Sequence, residues 1–247
     1  MAGFGKAKAM EASKDIPPEL QNTPQPMQQA KQPMKYDVYG IGNALVDKEF
    51  EIEDDFLKEF SIEKGMMTLV DREQQDRLLS ELTQRYGVKA RSGGGSAANT
   101  VYAISQFGGS AFYSCRVAND DNGDFFLRQL GDDNIQTNKN SQRMEGVSGR
   151  CIVMVTPDAE RTMHTYLGVS ASISISEMDF EAASNCEYMY LEGYLVTSDT
   201  ARSAIIEMKE FAKSNGIKTA MTFSDPSMLE YFNDNVNEVL SDEGARV

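Results

Sequence analysis

Three consecutive glycines, Gly93, Gly94 and Gly95, followed by Ser96-Ala97-Ala98-Asn99-Thr100, constrain this chain more than any other stretch. Glycine is entropically costly in both helix and strand. A triplet is therefore expected where the backbone turns tightly or where a ligand must touch the main chain. The residues after it read as a helix over 96–107, with Ala97, Ala98, Val101, Ala103, Ile104 and Phe107 as its apolar positions. A glycine loop feeding a helix N-terminus turns backbone N–H groups outward, toward oxyanions and hydroxyls. Asn99 adds a donor and an acceptor. Taken alone, the triplet also fits a plain tight turn before a packed helix, so the neighbouring motifs must decide.

Composition narrows the classes. The chain has 247 residues, 40% hydrophobic and 25% charged, enough for one large α/β domain or two small ones. No run approaches the roughly 18 apolar residues of a membrane span, and the N-terminus lacks an apolar signal core. Cys115, Cys151 and Cys186 lie far apart with no CxxC spacing, which reads as scattered buried thiols in a reducing cytoplasm. A single histidine, His164, leaves no pair for a metal site or a charge relay. The net charge of −14 argues against a nucleic-acid partner, although a local basic pocket can still take a nucleotide.

The first 34 residues hold five of the seven prolines and are expected to form a disordered tail, leaving 35–247 as one α/β domain. Order should begin with a strand at 36–42. Short strands follow at 44–52 and 66–70, and then a helix at 71–86 opened by the acidic cap Asp71. Beyond the glycine loop the pattern predicts a strand at 111–117, a helix at 121–130 and a hairpin of 149–156 with 161–166. A helix at 176–183, a strand at 187–192, a helix at 199–215 and a strand at 217–223 complete the reading. Strands alternating with long helices predict a doubly wound, mostly parallel sheet. The segments near 44–70 and 149–166 break that alternation and suggest a separate small sheet.

Four motifs carry a resemblance. They are Gly40-Ile41-Gly42-Asn43-Ala44-Leu45-Val46-Asp47, Gly94-Gly95-Ser96-Ala97-Ala98-Asn99, Glu160-Arg161-Thr162-Met163-His164-Thr165-Tyr166-Leu167-Gly168 and Tyr190-Leu191-Glu192-Gly193-Tyr194. In their order and approximate spacing, the chain from about residue 36 to 226 resembles the N-terminal two-thirds of the ribokinase-like (phosphofructokinase B-type) carbohydrate and nucleoside kinases. The adenosine-kinase-like and fructokinase-like branch is the nearest in look. The resemblance implies ATP and Mg2+ as cofactors and transfer of the γ-phosphoryl to a hydroxymethyl group of a sugar or nucleoside. It implies acceptor binding by Asn43, Asp47, Gly94, Gly95, Asn99 and Glu192. Arg161 is open between a ligand phosphate and a pairing with Glu160. The segments 44–70 and 149–166 would be the family's β-sheet lid, with a homodimer through it left open.

The sequence departs from the family at its catalytic signature. Gly-Ala-Gly-Asp, whose Asp deprotonates the acceptor and whose loop stabilises the transferring charge, is absent, so no residue is assigned a catalytic role. Asn235-Val236-Asn237-Glu238 has the spacing of the family's Asn-x-x-Glu motif but follows helix and loop residues rather than an apolar strand, and is read as chance. The expectation is a C-terminally incomplete kinase, inactive as a fragment. A non-catalytic substrate-binding or interaction remnant is the alternative. A nicotinamide-binding Rossmann enzyme fits poorly, because the glycine run does not follow G-x-G-x-x-G after a first strand.

Overall fold

The structure, a computed structural model, describes residues 35–138 and 143–241. The tail expected over residues 1–34 lies outside them. Among the described residues no helix is long and apolar enough to cross a membrane.

Five parallel strands form the main sheet: β1 (Tyr36–Ile41), β5 (Ala111–Ser114), β6 (Ile135–Gln136), β9 (Cys186–Leu191) and β10 (Lys218–Met221), in the order β10-β9-β1-β5-β6. Strand β1 is central and buried at five of its six positions, as a strand covered on both faces must be. Its alternate residues feed two different cores. Tyr39 and Ile41 pack with Met189, Leu191, Ile205 and Met208 on one face, the last two from α6 (Asp199–Ser214). Val38 packs on the other with Ala97 and Val101 of α3 (Ser96–Gln106) and with Phe126 and Leu130 of α4 (Asp121–Asp132). This is the doubly wound arrangement expected from the alternation of strands and helices.

A second five-stranded sheet has the order β3-β8-β7-β2-β4, from β2 (Leu45–Glu51), β3 (Met67–Leu69), β4 (Ala90–Gly94), β7 (Gly149–Val155) and β8 (Arg161–Tyr166). Strands β2 and β7 run parallel, with Asp47 beside Cys151. Strands β7 and β8 form the expected hairpin, with Cys151 opposite Thr165, and β3 sets Leu69 beside Thr165. Asp47, Cys151, Thr165 and Leu69 thus make one cross-strand row on a common face. The opposite face contributes Phe50, Ile152 and Met154 to a core closed by Phe56 and Leu57 of α1 (Asp54–Glu59) and by Leu78 and Leu82 of α2 (Arg72–Arg85). Helix α2 starts at Asp71, whose carboxylate accepts from Gln74 N at 2.8 Å while Gln74 returns a bond to Asp71 N at 3.1 Å.

Several elements differ from the expectation. The glycine run is not all loop. Ala90–Gly94 is an edge strand pairing antiparallel with β2, so the second sheet takes a strand from outside 44–70 and 149–166. Glycine's backbone cost is offset there because bulk is forbidden, as the site geometry shows. Residues 54–59 form helix α1 within the segment read only as strands. The helix expected at 176–183 is a 3-10 turn at Ile175–Glu177 followed by α5 (Phe180–Ser184), because Ser174 and Asp179 each cap a new start. Two short helices, α7 (Pro226–Tyr231) and α8 (Asn233–Leu240), follow β10. Cys115, Cys151 and Cys186 are all buried and unpaired. His164 is half-buried on β8, and burial lowers its pKa.

Candidate functional site

Strand β1 ends at Ile41, and the chain leaves the sheet through Gly42 and Asn43. A Cβ on Gly42 would sit 2.6 Å from the Tyr113 hydroxyl and 2.8 Å from Ala97 Cβ, so only glycine lets β1 leave against the start of α3. The neighbouring strand β9 ends with Leu191, and Glu192 N donates to Ile41 O at 3.0 Å. The side chain of Glu192 is fully buried between the two strand ends.

Glu192 joins three segments. Its Oε2 accepts from Asn43 N at 2.6 Å and from Asn43 Nδ2 at 2.8 Å. Its Oε1 accepts from Ser96 Oγ at 2.8 Å and from Ala97 N at 3.2 Å. A carboxylate at a helix N-terminus satisfies unpaired N–H groups and the positive end of the helix dipole. Burial pushes the Glu192 carboxyl up, and the donors from Asn43, Ala97 and Ser96 pull it back. The N-terminus of α3, expected from the sequence as an oxyanion site, is therefore filled by the protein's own carboxylate. An external anion there would meet negative charge.

Asn43 is buried as well. Its Oδ1 accepts from Ser170 Oγ at 3.2 Å, Ala44 N donates to the same Ser170 Oγ at 3.0 Å, and its carbonyl accepts from Tyr113 Oη at 2.8 Å. Ser170 has no counterpart in the sequence reading, because a serine among Ser170, Ser172, Ser174 and Ser176 carries no distinguishing signal.

Asp47 is different. Its Oδ1 is buried and accepts no hydrogen bond. Burial raises its pKa to about 6, against the opposing pull of Arg161. A buried carboxylate oxygen without a donor costs free energy that a ligand hydroxyl would relieve. Gly94 stands directly beside it: a Cβ there would overlap the Asp47 carboxylate. Gly95, with φ of 107°, is in a region open only to glycine, and a Cβ would strike the Asn43 carbonyl. The triplet thus serves close approach between protein segments.

These groups surround one cavity of about 210 Å³. Asn43, Asp47, Gly95, Asn99, Arg161 and Glu192 all line it, while Gly94 stands behind Asp47 instead. Among the described residues the Arg161 guanidinium makes no ion pair. The carboxylate of Glu160, its sequence neighbour, accepts from the Arg161 backbone N–H at 3.3 Å and not from the guanidinium. Side chains that the sequence reading did not single out complete the wall. Cys151 and Thr165 belong to the same row as Asp47, with Thr165 Oγ1 3.3 Å from Cys151 Sγ, and burial pushes the thiol up to about 12. Met67, Leu69 and Met163 come from β3 and β8, and Tyr194 and Thr197 from the 3-10 turn after Glu192. Alternation along β3 and β8 was the available signal for the first group. Met228, on α7, carried none.

No group of three or more His, Cys, Asp or Glu side chains able to hold a metal exists among the described residues. Asn235 and Glu238 lie on α8, where Asn235 Nδ2 donates to Val196 O at 2.9 Å and Glu238 pairs with Arg202 at 2.8 Å. Both side chains are spent on packing.

Comparisons with known proteins converge. A profile described as pfkB family carbohydrate kinase matches residues 66–242. Guanosine-inosine kinase of Escherichia coli strain K12 is 23% identical over 191 residues, 75% of this chain and 44% of that protein. Adenosine kinase of Saccharomyces cerevisiae is 24% identical over 207 residues, 81% of this chain and 59% of the other. The chain spans about half the length of these curated relatives. Among solved structures, adenosine kinase from Sinorhizobium meliloti superposes with a TM-score of 0.76 at 33% identity, covering 83% of this chain and 62% of that one. A probable sugar kinase from Rhizobium etli CFN 42 gives 0.78 at 28% identity, with 83% and 61% covered.

Proposed function

The chain belongs to the pfkB family of carbohydrate kinases, and from that membership we propose that its cavity holds the acceptor of a phosphoryl transfer. The acceptor is a sugar or nucleoside whose hydroxymethyl group takes the γ-phosphoryl of ATP. The observation that carries this reading is the buried, unpartnered Oδ1 of Asp47 in the cavity wall. An ionised carboxylate accepts hydroxyl protons in charge-assisted bonds, which fixes a ring in one pose.

In this reading Asp47 binds the ring hydroxyls, with Asn99 and the Gly95 backbone beside them. Asn43 and Glu192 shape the site through their mutual bonds. Gly94 leaves room for the Asp47 carboxylate, and Arg161 meets a ligand phosphate. The second sheet acts as a lid that excludes water from the transfer. Its back is covered by α1 and α2, so a homodimer through the lid would use the open face or the strand edges. ATP with Mg2+ is the proposed donor. The described residues offer no acidic cluster for the metal, and the N-terminus of α3 is closed to phosphate by Glu192, so no step is assigned to either here. Three buried free thiols suit a cytoplasmic setting. An acidic chain with this site is read without nucleic-acid or membrane partners.

One observation favours a second reading for the polypeptide of 247 residues, acceptor binding without transfer: its sequence contains no Gly-Ala-Gly-Asp. Titration calorimetry with ribose, fructose and adenosine tests the shared premise. Binding of at least one, abolished or weakened by Asp47→Asn, is expected. Binding of none, or binding indifferent to the substitution, removes the acceptor site.

A further inference from the structure

The back of the second sheet, away from the acceptor cavity, gathers cations with too few carboxylates to neutralise them. Along β2 the side chains of Val46, Lys48 and Phe50 share that face. Val46 packs with Phe126 and Leu130 of α4, and Phe50 packs with residues of α1 and α2. Lys48 therefore stands at the seam between two hydrophobic cores, half-buried, with Ile152 and then His164 following it across the sheet. Arg91 on the edge strand β4 is its direct register partner. Arg150 is the register partner of Val46, one pleat away on the same face. Like charges facing each other across a strand pair are destabilising. Burial, Arg91 and Arg150 all lower the Lys48 pKa.

The nearby acids are turned away or already shared. Asp47 and Glu49, on either side of Lys48 in the strand, belong to the opposite face. Asp76 of α2 reaches Arg150 at 2.8 Å and is shared with Arg72 at 3.5 Å. Among the described residues Lys48 and Arg91 make no ion pair. The Arg91 guanidinium is held in place by Asn122 Oδ1 at 2.7 Å and by stacking 4.1 Å over the Phe125 ring. Arg150 Nε is buried and donates to nothing. In a chain of net charge −14, this is a site of unmatched positive charge.

We propose that this seam is an anion site, in which Lys48, Arg91 and Arg150 together bind a phosphate dianion, free or at the end of a small phosphate monoester. A lysine supplies a point charge and an arginine a fork of donors, and phosphate oxygens accept from both in charge-assisted bonds. A dianion carries enough charge to cancel the repulsion between Lys48 and Arg91 and leave Asp76 with its arginines. Binding there would strengthen the β2–β4 pairing, the same edge that sets Gly94 beside Asp47 on the other face. The site is independent of the acceptor reading, because Lys48 and Asp47 point to opposite sides of the sheet.

Thermal unfolding of the 247-residue chain in sodium phosphate, against sodium chloride at equal ionic strength, separates binding from screening. Phosphate at about 10 mM is expected to raise the midpoint by about 2 °C or more beyond chloride. Lys48→Gln and Arg91→Gln should each lose most of that increment, and Lys48→Arg should keep it. Glycerol 2-phosphate distinguishes the two sources: an increment from it as well assigns the end of a monoester, and one from inorganic phosphate alone assigns the free ion. An increment that chloride matches, or one that Lys48→Gln leaves intact, would overturn the proposal. If Arg161→Gln abolished such a surviving increment, the anion would lie in the acceptor cavity instead.

Discussion

The Cβ that any other residue would carry at position 94 falls inside the space of the Asp47 carboxylate. Leu45 and Gly94 are register partners across the β2–β4 edge, and Asp47 is two residues further along β2. The absence of a side chain at Gly94 is therefore what allows a carboxylate to be buried in the cavity wall.

Gly94→Ala should displace Asp47 and weaken acceptor binding by more than tenfold, with an overpacking cost of about 1–3 kcal/mol in stability. Gly131→Ala is the matched control. Gly131 lies in α4, a Cβ there meets nothing within 4 Å, and the change should stabilise the fold by roughly 0.5–1 kcal/mol. Urea unfolding and calorimetry read both. Equal acceptor affinity in Gly94→Ala and wild type would separate Gly94 from the site.

Asp47 makes stability depend on pH. Its folded pKa, about 6, lies above the ordinary value of 3.8, so the folded state holds the proton more tightly than the unfolded chain. The contribution of Asp47 to stability without ligand should be fully present below about pH 4 and be lost as pH rises through about 6, on the order of 3 kcal/mol in all. Asp47→Asn should remove this slope and be the more stable protein at neutral pH. Acceptor affinity should run the other way, rising with pH through about 6 as the carboxylate ionises. Parallel slopes in wild type and Asp47→Asn would show that Asp47 does not titrate there.

Glu192→Gln replaces one acceptor oxygen with an amide that donates, directly against the Asn43 or the Ser96 and Ala97 donors. Leaving buried donors unpaired costs about 1–3 kcal/mol, more where a charged acceptor is lost. A loss of stability in thermal unfolding is expected, together with weaker acceptor binding, because Asn43 and the start of α3 lose their common anchor. A variant as stable as wild type would mean that Glu192 does not hold the strand ends together.

The polypeptide of 247 residues is expected to show no ATP-dependent phosphorylation of ribose, fructose or adenosine. A general base contributes about 10²–10⁴-fold and one preorganised anion donor about 10²–10³-fold. The sequence carries no Gly-Ala-Gly-Asp to supply them. Asp225, the carboxylate to suspect first if turnover were found, is spent as the cap of α7, accepting from Ser227 N at 2.9 Å. Robust turnover with purified protein and magnesium would contradict this.

Local chemistry made part of this protein legible in its sequence. Asp71 before an apolar-periodic run marked α2, alternation marked β7 and β8, and helices between strands marked the parallel sheet, because backbone periodicity and capping act within a few residues. The four motifs likewise marked Asn43, Asp47, Asn99, Arg161 and Glu192, which the fold brings around one cavity. What each residue touches was decided only by tertiary contact. Ala90–Gly94 became a strand because β2 offered it a partner, against glycine's own preference. The start of α3 is closed to anions because Glu192, almost a hundred residues later, fills it. Whether a carboxylate is saturated, as Glu192 is, or left with a bare oxygen, as Asp47 is, depends on donors that arrive from distant segments. No local pattern can encode that.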